Sequence, residues 1–428
     1  MRLLDLIDQL TLPLASDTLL KPRRLPTAPL GSRQLRVAGL FAGIGGIELG
    51  LHEADHTTVL LCESDPAARA VLAARFPGLE IHDDVRTLRA LPDSTTMLAA
   101  GFPCQDLSQA GQTNGIAGTR SSLVGEVFRL VEAHRTPWVL LENVPFMLQL
   151  ARGNAMNVLT SAFEELGYSW AYRVVDARAF GLPQRRRRVY FVASCVGDPR
   201  SVLFADEAGS AGEVEEDSPS VAHGFYWTEG IRGLGWAIDA IPTLKGGSTI
   251  GIPSSPAIVL SDGSIVTLDI RDAERLQGFS AGWTEPAEAV VKKGGRWRLV
   301  GNAVSVRAAA WIGNRFRELA GPLEFPCAPL IDGARWPTSA WNVGSGRFAV
   351  GASEWPVRLP YDSLESFLKF QPSLLSAKAT AGFLERTTRA RLRFPEGFLD
   401  TVRTHLGMMQ ELQSQSLSGA RTKLRART

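Results

Sequence analysis

The sequence predicts an α/β fold built on a doubly wound sheet, and three observations lead there. Short apolar, β-branched runs alternate with stretches of helical periodicity from Arg36 to about residue 193. A glycine-rich turn, Phe41-Ala42-Gly43-Ile44-Gly45-Gly46, follows the first strand and opens a helix. Chemically useful side chains (Glu63, Asp84, Cys104, Glu142) stand at or just past the ends of later strands, the rim where such sheets bind ligands.

Taken in order, residues 1–33 read as an arm. Leu3, Leu4, Ile7 and Leu10 have helical spacing, and Pro13, Pro22, Pro26 and Pro29 then break it into a linker. Strand 37–41 leads through the glycines to helix 47–54. Strand 58–62 ends at Glu63, and Pro66 opens helix 66–76. Strand 95–100, helix 121–133, strand 138–141, helix 154–166 and strand 189–193 continue the alternation. The pattern fails over 197–268, where an acidic patch (Asp206, Glu207, Glu213, Glu215, Glu216, Asp217) precedes turns and short β-like runs. That stretch reads as a small, loop-rich lobe. Helical character resumes at Arg271 and over 304–319. The domain expectation is therefore an arm (1–33), a core domain (34–196 and 269–320), the lobe (197–268) and a separate extension (321–428). There are no internal repeats.

The bulk properties are those of an ordinary globular chain. It has 428 residues, 45% of them hydrophobic, and a net charge of +2, so any nucleic-acid surface must come from local clustering. The extension is more basic, with fourteen Lys/Arg against eight Asp/Glu between Asp332 and Thr428. Cys62, Cys104, Cys195 and Cys327 are scattered with no CxxC pair, and the histidines lack metal-ligand spacing. Neither a disulfide framework nor a metal site is expected. The N-terminus carries Asp5 and Asp8 among its leucines, unlike a signal peptide, and no run approaches the roughly 20 apolar residues of a membrane span. A cytoplasmic location is the expectation.

Several segments carry chemistry. A strand, Gly43-x-Gly45-Gly46 and a helix allow a ligand close to main-chain N–H groups. Glu63 ends the next strand, where a carboxylate accepts ribose hydroxyls. The turn lacks the third glycine of the dehydrogenase fingerprint, which favours a nucleoside without a pyrophosphate. Asp84 suits an adenine amino group with Val85 packed on the ring, or alternatively a turn cap. Gly101-Phe102-Pro103-Cys104-Gln105 places a thiol just past a buried strand, with polar Asp106 and Ser108 following, a setting for a thiolate nucleophile. Glu142-Asn143 ends the strand at 138–141, where burial would raise the glutamate's pKa and keep a proton available, or where the pair caps the next segment. In Gln184-Arg185-Arg186-Arg187-Arg188, alternation puts Arg186 and Arg188 on one face and Arg185 and Arg187 on the other. One pair would enter a site and the other would meet phosphates.

In this order the segments resemble the DNA (cytosine-5)-methyltransferase family. The resemblance also takes in Arg271-Asp272-Ala273-Glu274-Arg275-Leu276-Gln277-Gly278-Phe279 and Val300-Gly301-Asn302-Ala303-Val304, and spans about 34–320. One departure is Gly39, where family members commonly have Asp. The resemblance implies a Rossmann-like S-adenosylmethionine-dependent methyltransferase domain, with 197–268 as target recognition region.

It also implies roles. Cys104 would add to carbon 6 of a flipped-out cytosine, and Glu142 would place a proton at ring nitrogen 3. Asn143 would order the loop, and Arg186 and Arg188 would bind the ring oxygen or a phosphate. The cofactor S-adenosyl-L-methionine would be held by Phe41, Ala42, Gly43, Gly45, Gly46, Ile47, Glu63, Ser64, Asp84, Val85, Pro103, Asn302 and Ala303. DNA contacts are expected from Gln105, Ser108, Arg185, Arg187, Arg232 and Lys245, with Trp227 and Trp236 packing the lobe. Double-stranded DNA, and a cognate restriction endonuclease or other defence protein, are the expected partners of a monomeric prokaryotic enzyme. Alternatives are a tRNA methyltransferase, which typically has a Cys-Phe-Thr tripeptide absent here, and an inactive DNA-binding relative, which should have lost Cys104 or Glu142.

Overall fold

The computed structural model describes residues 34–102, 123–209, 221–247, 255–318, 320–331 and 333–425. The expected N-terminal helix, and Pro103, Cys104, Gln105 and Ser108, lie outside them.

Alternation holds through the first half. β1 (Arg36–Leu40) runs into the glycine turn and α1 (Gly46–Glu53), and β2 (Thr57–Cys62) leads to α2 (Pro66–Arg75). Proline in its first turn, and the Asp65 carboxylate accepting from the Ala67 amide at 2.9 Å, start α2 there. Then come β3 (Ile81–His82), β4 (Met97–Gly101), α3 (Leu123–His134), β5 (Trp138–Asn143) and α4 (Asn154–Glu165). β6 (Ser169–Asp176), β7 (Gln184–Arg185), β8 (Arg187–Ser194) and α5 (Arg200–Leu203) follow.

The second half has shorter strands. β9 (His223–Phe225), β10 (Ala237–Ile238), β11 (Ile241–Pro242), β12 (Ala257–Val259) and β13 (Ile265–Thr267) precede α6 (Ile270–Leu276), α7 (Arg296–Asn302) and α8 (Val306–Arg317). Last are β14 (Cys327–Pro329), β15 (Ser339–Asn342), β16 (Phe348–Val350), α9 (Leu364–Phe367), β17 (Ser373–Leu374), α10 (Ala377–Thr387) and α11 (Phe398–Arg425).

The main sheet has the order β14-β16-β15-β6-β8-β5-β4-β1-β2-β3. β3, β2, β1, β4 and β5 are parallel, so their C-terminal ends share one rim. Leu40 is level with Cys62 and Ala100, and Gly101 with Glu142. β8 runs antiparallel to β5 with Asn143 opposite Val189, so it starts at that same rim. The described strand ends that carry Glu63, Glu142 and Arg188 therefore share one rim.

Three features differ from the sequence reading. β6 was not anticipated, and all eight of its residues are buried. Its Arg173 is fully buried, with carbonyls of Leu203, Asp206 and Ser353 and the Glu207 carboxylate (2.7 Å) around the guanidinium. Next, Val202, Leu203 and Phe204 pack in the core under the main sheet, so the start of the 197–268 stretch belongs with the core domain. Finally, the chain beyond 320 is divided between the two lobes. β15 pairs with β6 and carries β16 and β14 with it, whereas β17 pairs with β13 in the small lobe's sheet, ordered β10-β9-β12-β13-β17. Phe383 of α10 and Phe398 and Val402 of α11 are buried against Phe225 of β9. The small lobe cannot close its core without them.

Truncation after residue 320 is therefore expected to yield aggregated or unfolded protein. Each of those buried side chains contributes about 1.5–3 kcal/mol against a net stability of about 5–15 kcal/mol. Size-exclusion chromatography and thermal melting check this, and a soluble, cooperatively melting fragment would contradict it.

Candidate active site

The glycine turn divides its labour. Phe41, Gly43 and Gly45 have φ of 53°, 57° and 85°, so three left-handed residues reverse the chain within five positions. A Cβ at Gly45 would lie 2.4 Å from the Phe76 ring, and one at Gly46 would lie 2.6 Å from the Val304 carbonyl oxygen. Those two glycines permit packing. Gly43 faces open space instead, and its amide donates to Glu63 Oε2 at 2.7 Å. The other oxygen, Oε1, accepts from the Asp65 amide at 2.7 Å. The carboxylate keeps further lone pairs for a ligand.

A cavity of about 550 Å³ opens here. Of the residues expected at a cofactor, Phe41, Gly43, Glu63, Ser64, Asp84, Val85, Asn302 and Ala303 line it. Ala42, Gly45, Gly46 and Ile47 do not. The Ala42 amide donates to Cys62, and Ile47 is buried in the core. The walls also include Ile44, Arg86, Leu299 and Arg298, which sequence reasoning missed. Arg298 bridges to Asp65 at 2.5 Å, tying α7 to the start of α2. No sequence signal marks it, because the pairing is made only by tertiary folding. Asp84 accepts from the Arg86 amide (2.9 Å) and side chain (3.0 Å), and those bonds hold its carboxyl below the usual range. It caps its own turn and lines the cavity as well. The carboxylate beside a bare glycine amide, the apolar walls and the volume fit an adenosyl ligand.

Beside the cavity, the β5 rim carries Glu142 and Asn143. Glu142 is buried and level with Gly101, and Arg188 Nε lies 2.9 Å from its Oε1. Burial raises the Glu142 pKa, against the lowering pull of the Arg188 and Arg186 charges. Asn143 Nδ2 donates to the Phe102 carbonyl at 2.9 Å, fixing the chain two residues before Cys104.

The arginine run separates as alternation predicts, but with different partners. Arg186 is buried, and its Nη1 donates to Leu244 (3.0 Å) while Nη2 donates to Gly301 (3.3 Å) and Ala303 (2.5 Å). Arg186 Nε has no hydrogen-bond partner among the described residues, and Arg188 is the one that touches Glu142. Burial and the Arg188 charge lower the Arg186 pKa to about 9, which still leaves a cation at neutral pH. On the other face, Arg185 is exposed and Arg187 pairs with Glu354. Of the lobe residues, Arg232 is exposed, and Lys245 pairs with Glu229 with its ammonium 3.7 Å from the Tyr226 ring centroid. Trp227 and Trp236 pack against the lobe's core. No cluster of metal-ligating residues occurs among the described residues.

Gly39 has a visible counterpart. A Cβ there would lie 2.1 Å from Oε1 of Glu48, whose buried carboxyl fills the space from the α1 side. Burial, together with the nearby Glu63 charge, raises the Glu48 pKa from 4.5 to about 7. Below pH 4.5 this carboxyl is neutral in folded and unfolded chains alike. Between pH 4.5 and 7 only the unfolded chain ionises, so stability falls, by about 3 kcal/mol in full above pH 7. Glu48→Gln is therefore expected to raise the melting temperature at pH 8 and to leave it nearly unchanged at pH 4. Melting curves at the two pH values check this.

Comparison with known proteins places the chain in a family. Residues 35–207 match the family described as C-5 cytosine-specific DNA methylase. The chain is 48% identical to the type II methyltransferase M2.BsuMI of Bacillus subtilis over 86% of its own length and 97% of that protein. It is 38% identical to M.BsuFI of Bacillus subtilis over 37% of this chain and 39% of that one. With M.MspI of Moraxella sp it shares 33% identity over 38% of this chain and 39% of that one.

Proposed function

The chain belongs to the C-5 cytosine-specific DNA methylase family, and from that membership we propose that it methylates carbon 5 of a flipped-out cytosine within one specific duplex sequence. The observation that carries the reading is the buried Glu142–Arg188 pair on the same rim as the Glu63 cavity. A buried carboxyl whose pKa desolvation raises thus stands beside a nucleoside-sized pocket. The type II names of the relatives support a role alongside a cognate restriction endonuclease. No helix among the described residues is long and apolar enough to cross a membrane.

S-adenosylmethionine, held by the glycine turn, Glu63 and Asn302, supplies an electrophilic methyl group when bound. The chain's own residues prepare the base. Cytosine carbon 5 is a poor nucleophile until a thiolate adds at carbon 6. Cys104 supplies the thiolate, forming the carbon–sulfur bond and pushing electron density through the ring to carbon 5. Charge building toward ring nitrogen 3 would be met by Glu142, whose pKa burial raises and whose carboxyl Arg188 orients. Asn143 holds the Phe102 carbonyl and so sets where the Cys104 segment begins. After methylation a base takes the carbon 5 proton, the carbon–sulfur bond breaks, and the thiolate returns. The target base must leave the stack, at a cost of a few kcal/mol.

Bisulfite sequencing of DNA from cells expressing the protein is expected to show one methylated motif. No methylation in any motif would overturn the reading. Cys104→Ser should abolish transfer, and DNA carrying 5-fluorocytosine in the motif should trap a covalent adduct, because fluorine blocks the elimination. Glu142→Ala should slow single-turnover transfer by about a hundredfold or more while leaving cofactor affinity near wild type.

A further inference from the structure

Two buried polar atoms near Glu142 have no hydrogen-bond partner among the described residues, the Tyr190 hydroxyl and Arg186 Nε. Tyr190 is 1% exposed and Arg186 2%. Buried donors are seldom left unmet, because the cost of stripping them of water is then uncompensated. Strand pairing places Tyr190 beside the carboxyl. β8 runs antiparallel to β5 with Tyr190 directly opposite Glu142. Opposed residues project to one face, with Cβ atoms about 4.5–5.5 Å apart. Arg188, two residues before Tyr190, shares that face, and its Nε lies 2.9 Å from Glu142 Oε1. Arg186 is close enough for its charge to act on both Glu142 and Tyr190.

The other elements packed here bring no charge. A Cβ at Gly101 of β4 would lie 3.5 Å from Glu142 Oε2 and 3.7 Å from the side chain of Val304, which precedes α8. Among the described residues, the titratable groups facing Glu142 are therefore Arg188, Arg186 and Tyr190. Their chemistry limits how they can be joined. Arg186 Nε can donate and cannot accept. Burial, and after it the Glu142 charge, push the Tyr190 pKa up, so its hydroxyl keeps a proton to donate. A water has two lone pairs for these two donors, and it must then turn its own hydrogen to the carboxylate.

We propose that Tyr190 is a positioning residue for Glu142, its hydroxyl and Arg186 Nε together holding one ordered water that donates to the Glu142 carboxyl. This rests on the reading of Glu142 as the group that meets ring nitrogen 3. Three partners are what a buried water ordinarily has. Because the water donates to Glu142, it favours the ionised carboxyl, as the Arg188 charge does, and opposes desolvation. The Tyr190 hydroxyl thus helps to set both the direction of the carboxyl and the pH at which it gives up its proton.

Tyr190→Phe removes the hydroxyl and leaves the ring in place. Single-turnover methylation of a duplex carrying the motif that bisulfite sequencing identifies, followed across pH, reads the effect. With Glu142 as proton donor, the rate falls on the alkaline side as that proton leaves. Without the hydroxyl the water is held less firmly, the ionised carboxylate loses support, and the Glu142 pKa rises. The alkaline limb is therefore expected to move up by about half a pH unit, and the maximal rate to fall about threefold to tenfold. Tyr172→Phe removes a β6 hydroxyl that donates to the Pro337 carbonyl (2.8 Å), so it should lower the melting temperature and leave the limb in place. A crystal structure of the wild-type protein should show the water within hydrogen-bond reach of Tyr190, Arg186 and Glu142. An unmoved limb in Tyr190→Phe, or a crystal structure in which Tyr190 and Arg186 Nε bond to protein groups instead, would overturn the proposal while wild-type activity upholds the enzyme reading. Wild-type protein that methylates no DNA would overturn the enzyme reading and the role of Tyr190 with it.

Discussion

The Arg186 guanidinium is the contact on which the site's assembly depends. A buried cation is costly unless its donors are used, and here Nη1 and Nη2 gather carbonyls from segments more than fifty residues apart. Leu244 comes from the small lobe, and Gly301 and Ala303 come from the end of α7. Gln184 reinforces the junction, accepting from the Leu244 amide at 3.0 Å and donating to the Leu276 carbonyl at 2.8 Å. Gln277 then donates to Val300 at 2.7 Å. The small lobe, α6 and α7 are thereby one hydrogen-bonded unit.

That unit leaves no room at its centre. A Cβ at Gly301 would lie 2.2 Å from the Lys245 backbone, and one at Gly246 would lie 2.3 Å from Asn302 Oδ1. Asn302 lines the cavity, whereas Lys245 and Gly246 belong to the small lobe, so lobe and cavity wall are in direct contact. Arg298, bonded to Asp65 across the cavity, fastens the other end of the same helix.

Much of this was legible in the sequence, and the failures have physical causes. β1, β2, β4 and β5 announce themselves because strands buried on both faces read as continuous apolar runs. β6 is equally buried but carries Arg173, whose partners lie in other segments, and Asp176, which pairs with Arg178 two residues on, so the run looks polar. The strands beyond 320 are two to four residues long, too short for any period to show. In the site, Glu63, Gly43, Asn302 and Glu142 stand where motif spacing put them. Gly45, Gly46 and Ile47 belong to the same motif yet serve packing, a distinction that only the neighbours Phe76 and Val304 reveal. Arg186 and Arg188 look alike in sequence, and the difference between a rivet and a reactive partner lies in which carbonyls surround the first.

Three carboxyls near the rim show why residue type alone does not assign chemistry. Asp84 is exposed enough to keep its charge and is held low by Arg86. Glu142 is buried beside two arginines, so desolvation pushes its pKa up while their charges restrain it, and the group stays poised to hold or give a proton. Glu48 is buried with no cation beside it among its main influences, and it is raised further by the charge of Glu63. It is a space-filling acid in the hollow left by Gly39, and its carboxyl is useful there only while neutral. The same functional group thus caps a turn at Asp84, pairs with Arg188 at Glu142 and fills a hollow at Glu48. What separates them is the balance of desolvation against neighbouring charge.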